Sequence, residues 1–213
     1  MKYTNLILFL FGFQILNTHI DLYSDNLEQT PWKKEAVQGF PIFNNELEIT
    51  EGFGAYMDLN LWANTKNFDN GGGNFDFNTQ FLSRYYGVKN IVFDPFQRSD
   101  EHNQIALIEI QKHDFDTTTS NSVLNVIDRQ DARFKHILLS CDSLKEGGSA
   151  FFKVYPGNSS FVEQWHQDGY QSNRTAKTYQ EDVEVIFGKG NVVANVERHL
   201  LIAYKNNGCN EPK

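Results

Sequence analysis

From about residue 61 the chain alternates strand-like and helix-like segments, and this alternation constrains the fold more than any other feature. Short β-rich runs at 90–94 and 150–155 are separated by stretches in which apolar residues recur at helical spacing. Such alternation is typical of a parallel sheet with crossover helices. The last two runs, 192–196 and 200–204, are joined by only three residues, so we expect them to pair antiparallel. The predicted fold is therefore α/β, a parallel sheet with crossover helices and a C-terminal antiparallel β-hairpin.

The helices of this predicted fold are located by their end signals and apolar faces. One begins near residues 76–78 and ends at Gly87, since glycine is favoured just after a helix C-terminus. Another covers about 99–112, and its residues expected to face inward are Ile105, Leu107 and Ile108. A third follows Asp128, an expected N-cap, and is expected to stop at Gly147-Gly148 before the strand at 150–155.

The length of 213 residues suits one domain, because domains average roughly 150 residues. We assign it to residues 61–206, with a tail at 207–213 and a loop-rich lead-in at 25–60. Residues 1–24 carry a basic start and an apolar run of about 11 residues, too short for a bilayer that needs about 20. This segment suggests a secretory signal peptide, with a buried or interfacial helix as the alternative. A cytoplasmic location is expected, and export stays open.

Charge and composition restrict the partners. The chain has 19 Lys+Arg against 27 Asp+Glu, a formal net charge of −8, so duplex nucleic acid is not an expected partner. Two cysteines are too few for a disulfide framework or a cysteine-based zinc site. The six histidines show no metal-ligand spacing, and no metal is expected. A transmembrane span is not expected either.

The segment from Asp69 to Gly73, Asp-Asn-Gly-Gly-Gly, lies between a predicted strand and a predicted helix. Ligands of open α/β sheets bind at the carboxyl ends of the strands. Gly71, Gly72 and Gly73 have no Cβ, so the backbone can turn sharply there and approach a ligand closely. We therefore interpret the segment as a ligand-binding loop, although three glycines alone are more often a flexible turn.

Two further strand ends carry polar residues. Asp94 follows the next predicted strand, 25 residues after Asp69, where a carboxylate can accept hydrogen bonds from ribose hydroxyls. Its alternative role is that of a turn aspartate before Pro95. Asn121 and Ser122 end the third strand, and small polar groups there suit an adenosine and its amino-acid tail. By themselves, however, they fit an ordinary strand-to-helix connection better.

Charge near the glycines bears on the choice of nucleoside ligand. Asp76 stands where the dinucleotide fingerprint has its last glycine, and it places a negative charge where a helix N-terminus would receive pyrophosphate. NAD is therefore disfavoured, and survives only if Asp76 points away from the loop. A phosphate loop is disfavoured too, since its G-K-[ST] motif is missing. Asp69 and Asp76 instead favour a ligand with a sulfonium and an ammonium, as in S-adenosylmethionine.

Residues 62–205 resemble the class I S-adenosylmethionine-dependent methyltransferases. The resemblance rests on Asp69–Gly73, Asp94, the runs 123–127 and 144–148, and the closing strand pair. It implies a Rossmann-like fold in which the glycines pass beneath S-adenosylmethionine and Asp94 holds its ribose. It also implies that Asn121 and Ser122 lie near the adenosyl or methionyl part. The expected activity is methyl transfer to a small-molecule or protein acceptor.

Two departures from the family pattern support an alternative. Phe75 stands where the last family glycine falls, and the chain between Lys112 and Phe115 is too short for the family's third strand. Together with the signal-like N-terminus, they leave open a non-catalytic nucleoside-binding or interaction protein on the same scaffold, possibly exported.

No catalytic base is assigned, because in-line attack on a sulfonium methyl needs mainly positioning and desolvation. Four side chains are candidate contacts for the acceptor: Asp76, Asn78, Lys153 and Tyr155. The loop 165–174 follows the fourth strand, and we interpret it as a wall of the acceptor site, with a solvated loop as an equally good alternative.

Overall fold

The computed structural model describes residues 63–74, 76–158, 160–166 and 169–212. The predicted segments 1–24 and 25–60 and residue Phe75 lie outside these ranges. The strands are β1 (Lys66–Asn70), β2 (Lys89–Phe93), β3 (Phe115–Asn121), β4 (Leu144–Lys153), β5 (Glu163–His166), β6 (Gly169–Ser172), β7 (Val192–Asn195) and β8 (Leu200–Tyr204). The α-helices are α1 (Phe77–Tyr86), α2 (Asp100–Ile110), α3 (Gln130–Ser143) and α4 (Gln180–Phe187). None of the helices in the described ranges is long and apolar enough to cross a membrane.

Six strands form one sheet in the order β2-β1-β3-β4-β8-β7. Strands β2, β1, β3 and β4 are parallel, whereas β8 pairs antiparallel with both β4 and β7. The predicted α/β class, with its parallel sheet and closing hairpin, is confirmed. Only residues 111–114 separate α2 from β3, and they contain no strand, as the short connection between Lys112 and Phe115 indicated. Strand β2 forms one edge of this sheet.

Helix α1 follows its sequence signals closely. It packs Phe81 and Leu82 into the core, and it ends at Gly87, whose φ of 66° is the left-handed conformation that glycine adopts without strain. The Gly87 N–H donates to the Ser83 carbonyl at 3.1 Å. The next strand, β2, therefore begins only two residues after the helix cap.

The predicted inward face of α2 is wrong. Ile105 is 64% exposed and Ile108 is 49% exposed. The side chains that α2 buries are Asn103, Ala106 and Ile110. Asn103 orients the helix, because its amide bonds both the N–H and the carbonyl of Asp94, at 3.1 and 3.0 Å. These two bonds turn the isoleucine face outward.

The boundaries of α3 also differ from the prediction. Arg129, not Asp128, occupies the cap position, and Asp128 accepts a hydrogen bond from the Arg129 N–H instead. The helix ends at Ser143, and the next strand starts directly at Leu144. Gly147 and Gly148 belong to β4, because their backbone groups exchange hydrogen bonds with Lys205.

The two cysteines form a disulfide between α3 and the C-terminal tail. Cys141 and Cys209 have their Cα atoms 6.0 Å apart and are separated by 68 positions in sequence. Cys141 is fully buried. The tail is also held by the Asn210 N–H, which donates to the Ile186 carbonyl at 2.8 Å. Two cysteines do not make a disulfide framework, but the sequence analysis overlooked that they could make this single bridge.

The buried side chains differ between the two halves of the six-stranded sheet. On β1, β2 and β3, Asn67 donates to the Asn90 side chain at 2.7 Å and accepts from Thr117 at 2.7 Å. We call these three strands the polar half. On β4, β8 and β7 the buried side chains are apolar, including Ala150, Phe152, Val192, Leu200, Leu201 and Ala203. We call these strands the apolar half.

Candidate functional site

The loop that follows β1 turns on two glycines with left-handed backbone. Gly71 has φ 82° and Gly73 has φ 71°, values that side-chain-bearing residues rarely adopt. The Gly71 N–H donates to the Phe93 carbonyl at 2.7 Å, which ties the loop to the end of β2. A Cβ on Gly71 would lie 2.6 Å from a Val123 methyl group. The loop thus packs closely against the segment that follows β3, and there is no room for a side chain at Gly71.

Asp69 supports this loop from below. Its side chain is buried and accepts a hydrogen bond from the Thr119 hydroxyl at 3.0 Å. A Cβ on Gly72 would lie 2.7 Å from an Asp69 carboxylate oxygen, so only glycine fits above the carboxylate. The structure therefore gives Asp69 a supporting contact with the glycine loop. Its contact with a ligand stays a prediction.

Asp94 joins the loop to the turn after β2. Its Oδ2 accepts from the Gly73 N–H at 2.9 Å, and its Oδ1 accepts from the N–H groups of Phe96 and Gln97, both at 3.0 Å. Burial raises the pKa of this carboxyl group, and the three backbone hydrogen bonds oppose that rise. The turn role considered from the sequence is therefore present. Because a carboxylate can accept about four hydrogen bonds, one acceptor position remains for a ribose hydroxyl, and that role stays a prediction.

Arg98 is a site residue that the sequence analysis missed. Its Nε donates to the Gly73 carbonyl at 2.6 Å, and its Nη1 pairs with the Asp76 carboxylate at 2.7 Å. The Arg98 side chain is 10% exposed, whereas that of Asp76 is 57% exposed. A single arginine in a turn carries no sequence signal for this contact. Asp76 is therefore a paired anion at the N-terminus of α1, and the prediction that its charge disfavours pyrophosphate stays a prediction.

The carboxyl ends of β3 and β4 meet beside the loop. Ser122, directly after Asn121, has φ 58°, and its N–H donates to the Lys153 carbonyl at 2.8 Å. Since Val123 packs on Gly71, the structure brings most of the predicted cofactor residues to one edge of the sheet: Asp69, Gly71, Gly72, Gly73, Asp94, Asn121 and Ser122. Asp76, also predicted, lies at the exposed margin of this group.

A neutral histidine lies behind this edge. His136 of α3 has its Nε2 2.8 Å from the hydroxyl of Ser120, which is buried near the end of β3. Desolvation of the enclosed imidazole lowers its pKa to about 3. The Asn70 side chain donates to the His136 carbonyl and to the Ser140 hydroxyl, at 3.0 and 2.9 Å. This group of bonds fixes α3 against the strands that carry the loop.

The loop 165–174, predicted as a wall of the acceptor site, overlaps two antiparallel strands, β5 and β6, which we call the flap. Asn125, in the turn after β3, accepts from the Tyr155 N–H at 3.2 Å and donates to the Gln171 side chain at 3.2 Å. These bonds attach the flap to the carboxyl ends of β3 and β4. Trp165 of the flap is 55% exposed, and its ring centroid lies 5.2 Å from that of Tyr170.

The other candidate acceptor contacts lie in the same region or beside the loop. Lys153 ends β4, and its Nζ donates to the Arg198 carbonyl. Burial lowers the pKa of Lys153, and the charge of Arg198 lowers it further. Tyr155 is largely exposed just beyond β4, and Asn78 is half-buried in the first turn of α1. Within the described ranges, no group of three or more His, Cys, Asp or Glu side chains could hold a metal ion.

The sequence matches no protein-family model and no curated protein sequence. Solved structures are nevertheless similar to it, and the first of those described next shares its fold. The 1,6-didemethyltoxoflavin-N1-methyltransferase of Burkholderia thailandensis, solved with 1,6-didemethyltoxoflavin and S-adenosylhomocysteine, has a TM-score of 0.52 at 16% identity, over 74% of this chain and 78% of that one. Human N-acetylserotonin methyltransferase, solved with S-adenosylmethionine, gives 0.48 at 14% identity, over 89% and 67%. A sugar N-methyltransferase of a Streptoalloteichus species gives 0.48 at 10% identity, over 88% and 93%.

Proposed function

We infer the function from the fold, which is that of the class I S-adenosylmethionine-dependent methyltransferases, as the sequence resemblance implied. We propose that the protein binds S-adenosylmethionine and transfers its methyl group to a small-molecule or protein acceptor. The observation that carries this proposal is the glycine loop, fixed between Asp94 on one side and Val123 on the other. Such a loop offers a closely approachable backbone at the carboxyl edge of a parallel sheet, where ligands of this architecture bind.

In this proposal the cofactor lies along the edge formed by β2, β1 and β3. Gly71–Gly73 pass beneath it, and the remaining acceptor position of Asp94 receives a ribose hydroxyl. Asn121 and Ser122 contact the adenosyl or methionyl part. Support for this placement comes from the short distances that join the three segments, which already hold the loop in one conformation before any ligand arrives.

The acceptor would lie between the flap and the end of β4, near Lys153 and Tyr155. Its nucleophilic atom attacks the sulfonium methyl in line, so the bond from that atom to carbon forms as the carbon–sulfur bond breaks. The electron pair of the broken bond stays on sulfur and gives S-adenosylhomocysteine, and the acceptor's proton leaves to solvent. The chain's contribution is positioning and exclusion of water, which explains how the site can work without an assigned base.

Calorimetric titration of the full chain with S-adenosylmethionine and S-adenosylhomocysteine tests the proposal. We expect micromolar binding of both, weakened at least about tenfold by Asp94→Ala, since a hydrogen bond to a charged group is worth roughly 1.5–3 kcal/mol. Because Asp94 also holds Gly73, thermal unfolding of the variant must show that it is folded. Gly147→Ala is the control, since Gly147 also has a positive φ but lies in open space away from the loop. Wild-type protein that binds neither ligand contradicts the proposal.

The disulfide favours a second candidate, a non-catalytic binding or interaction protein that is exported. Disulfides persist in oxidising compartments and are rare in the cytosol, where thiols are kept reduced. An exported chain would meet little S-adenosylmethionine, so methyl transfer and a cytoplasmic location belong together. Protein from the native source, alkylated before lysis, separates the two. Two alkylated thiols and an intact Met1 support the methyltransferase, whereas a bridged pair in an extracytoplasmic fraction supports the second candidate.

A further inference from the structure

The Arg98 guanidinium has one donor group that the described residues do not use. Nε and Nη1 are bonded to Gly73 and Asp76, but Nη2 is buried and has no hydrogen-bond partner among the residues described. The side chain as a whole is nine-tenths buried. A buried charged donor is costly to leave unpaired, and such groups in folded proteins usually have a partner. A bound ligand can supply one.

Position and charge indicate the kind of group that Nη2 binds. Gly73 donates its N–H to Asp94 and accepts from Arg98 at its carbonyl, so the carboxylate and the guanidinium lie on either side of one residue. Asp94 is the acceptor for ribose hydroxyls, whereas a guanidinium N–H requires an acceptor and pairs most strongly with an anion. The N-terminus of α1, which starts just after Asp76, adds a partial positive charge.

We propose that Nη2 of Arg98 donates to the carboxylate of the amino-acid tail of S-adenosylmethionine. This inference rests on the proposed function, because that carboxylate is the only anionic group of the cofactor. It makes Arg98 a binding residue that selects nucleosides with an anionic tail. Its two other bonds hold the guanidinium in place before the ligand arrives, so the interaction costs little side-chain ordering.

Binding of three ligands to the full chain tests the assignment. S-Adenosylhomocysteine carries the complete tail, decarboxylated S-adenosylhomocysteine lacks only the carboxylate, and 5′-methylthioadenosine lacks the whole tail. We expect Arg98→Met to weaken S-adenosylhomocysteine about 10- to 100-fold, the range for a hydrogen bond between charged groups. The other two ligands should change less than about threefold, because they have no carboxylate to lose. Arg84→Met, at an exposed arginine near the end of α1, is the matched control and should change none of the three.

The outcomes separate this inference from the function on which it rests. If Arg98→Met weakens all three ligands equally, Arg98 only supports the loop and the inference is wrong. It is wrong as well if the variant binds S-adenosylhomocysteine like the wild type. Should Arg98→Met fail to fold, Arg98→Lys keeps the charge and is expected to weaken S-adenosylhomocysteine alone, about 3- to 10-fold. Wild-type protein that binds none of the ligands overturns the proposed function itself.

Discussion

In the polar half of the sheet (β2, β1 and β3) the buried side chains include asparagine, threonine and aspartate. In the apolar half (β4, β8 and β7) they are mainly phenylalanine, leucine, valine and alanine. In the polar half, the single side chain of Asn67 is hydrogen-bonded to three others, those of Asn90, Thr117 and Thr119. In the apolar half, the Phe152 ring packs edge-on against Phe187, with centroids 6.2 Å apart. The disulfide adds a covalent link between α3 and the tail that follows β8.

The two halves of the sheet contribute differently to stability and to the geometry of the candidate site. Hydrogen bonds depend on direction and distance, so the polar network fixes the register of β1, β2 and β3, from which the glycine loop and Asp94 extend. Apolar packing depends mainly on buried area and fit, and it contributes more free energy per side chain. We therefore expect the apolar half to supply most of the stability, and the polar half to hold the geometry of the candidate site.

The largest expected loss follows from Phe152→Ala. Phe152 is fully buried, so its truncation removes apolar contacts and leaves a cavity, at a cost of about 4 kcal/mol in the free energy of unfolding. Urea denaturation measures this cost. Val193→Ala on β7, in the same half, is the control, since Val193 is 53% exposed and should change stability by less than about 0.5 kcal/mol. Equal losses of unfolding free energy in the two variants would mean that apolar packing is not the main source of stability in this half.

The second prediction concerns the bridge. Replacing both cysteines, as Cys141→Ser with Cys209→Ser, should lower the free energy of unfolding by about 3 kcal/mol, because the unfolded chain is no longer cross-linked over 68 positions. Parallel denaturation of the oxidised wild type and the double variant gives the value. An unchanged denaturation midpoint would mean that packing alone stabilises the apolar half.

Asn67→Leu tests the polar half and should cost about 2 kcal/mol, since it removes the hydrogen-bond partner of two buried groups, the side-chain oxygen of Asn90 and the hydroxyl of Thr117. Thr117→Val alone should cost about 1 kcal/mol. The double variant has no hydroxyl at position 117 that could be left without its Asn67 partner. Its cost should therefore be smaller than the sum of the costs of the two single variants. Strict additivity in this cycle would show that the network is not coupled. A loss greater than that of Phe152→Ala would reverse the comparison between the halves.

The smallest effect is a pH dependence carried by His136. Its pKa is about 3 in the folded protein and about 6.5 in the unfolded chain, so the unfolded chain binds the extra proton first as pH falls. The corresponding stability is complete above pH 6.5 and is lost between pH 6.5 and about 3, by up to about 1.4 kcal/mol per pH unit, which amounts to roughly 0.7 kcal/mol between pH 7 and pH 6. Denaturation curves for wild type and His136→Gln at pH 7 and pH 6 isolate the contribution of His136. Identical losses in both proteins would assign the acid sensitivity to other groups.

Much of the fold was predictable because its signals are local. Strand and helix periodicity, together with Gly87 after α1, located the main elements, and the glycines and Asp94 were visible because they directly follow strands. Ile105 and Ile108 were misplaced for a different reason: α2 carries apolar residues on more than one face. The face that is buried is selected by Asn103, whose partner is the backbone of Asp94.

The site residues that sequence reasoning missed depend on contacts between distant segments. Arg98 meets Gly73 across 25 positions, and Cys141 meets Cys209 across 68. Nothing in the neighbouring residues marks either contact, because both arise only when the sheet order brings separate turns and helices together. The same holds for Asn125, which joins the flap to the strand ends. Their contributions become visible only in the tertiary structure.

The Cys141–Cys209 bridge also changes the covalent topology of the chain. It closes residues 141–209 into a ring that includes β4, the flap, α4 and the closing hairpin. The side chains of Phe161 and Val162, just before the flap, and of Trp165 within it are exposed, which makes this segment one accessible part of the ring. A protease that cuts the chain there opens the ring but does not divide the molecule, since both fragments stay joined through sulfur. The cut would show on a gel only after reduction, and the two fragments would stay together in the folded protein.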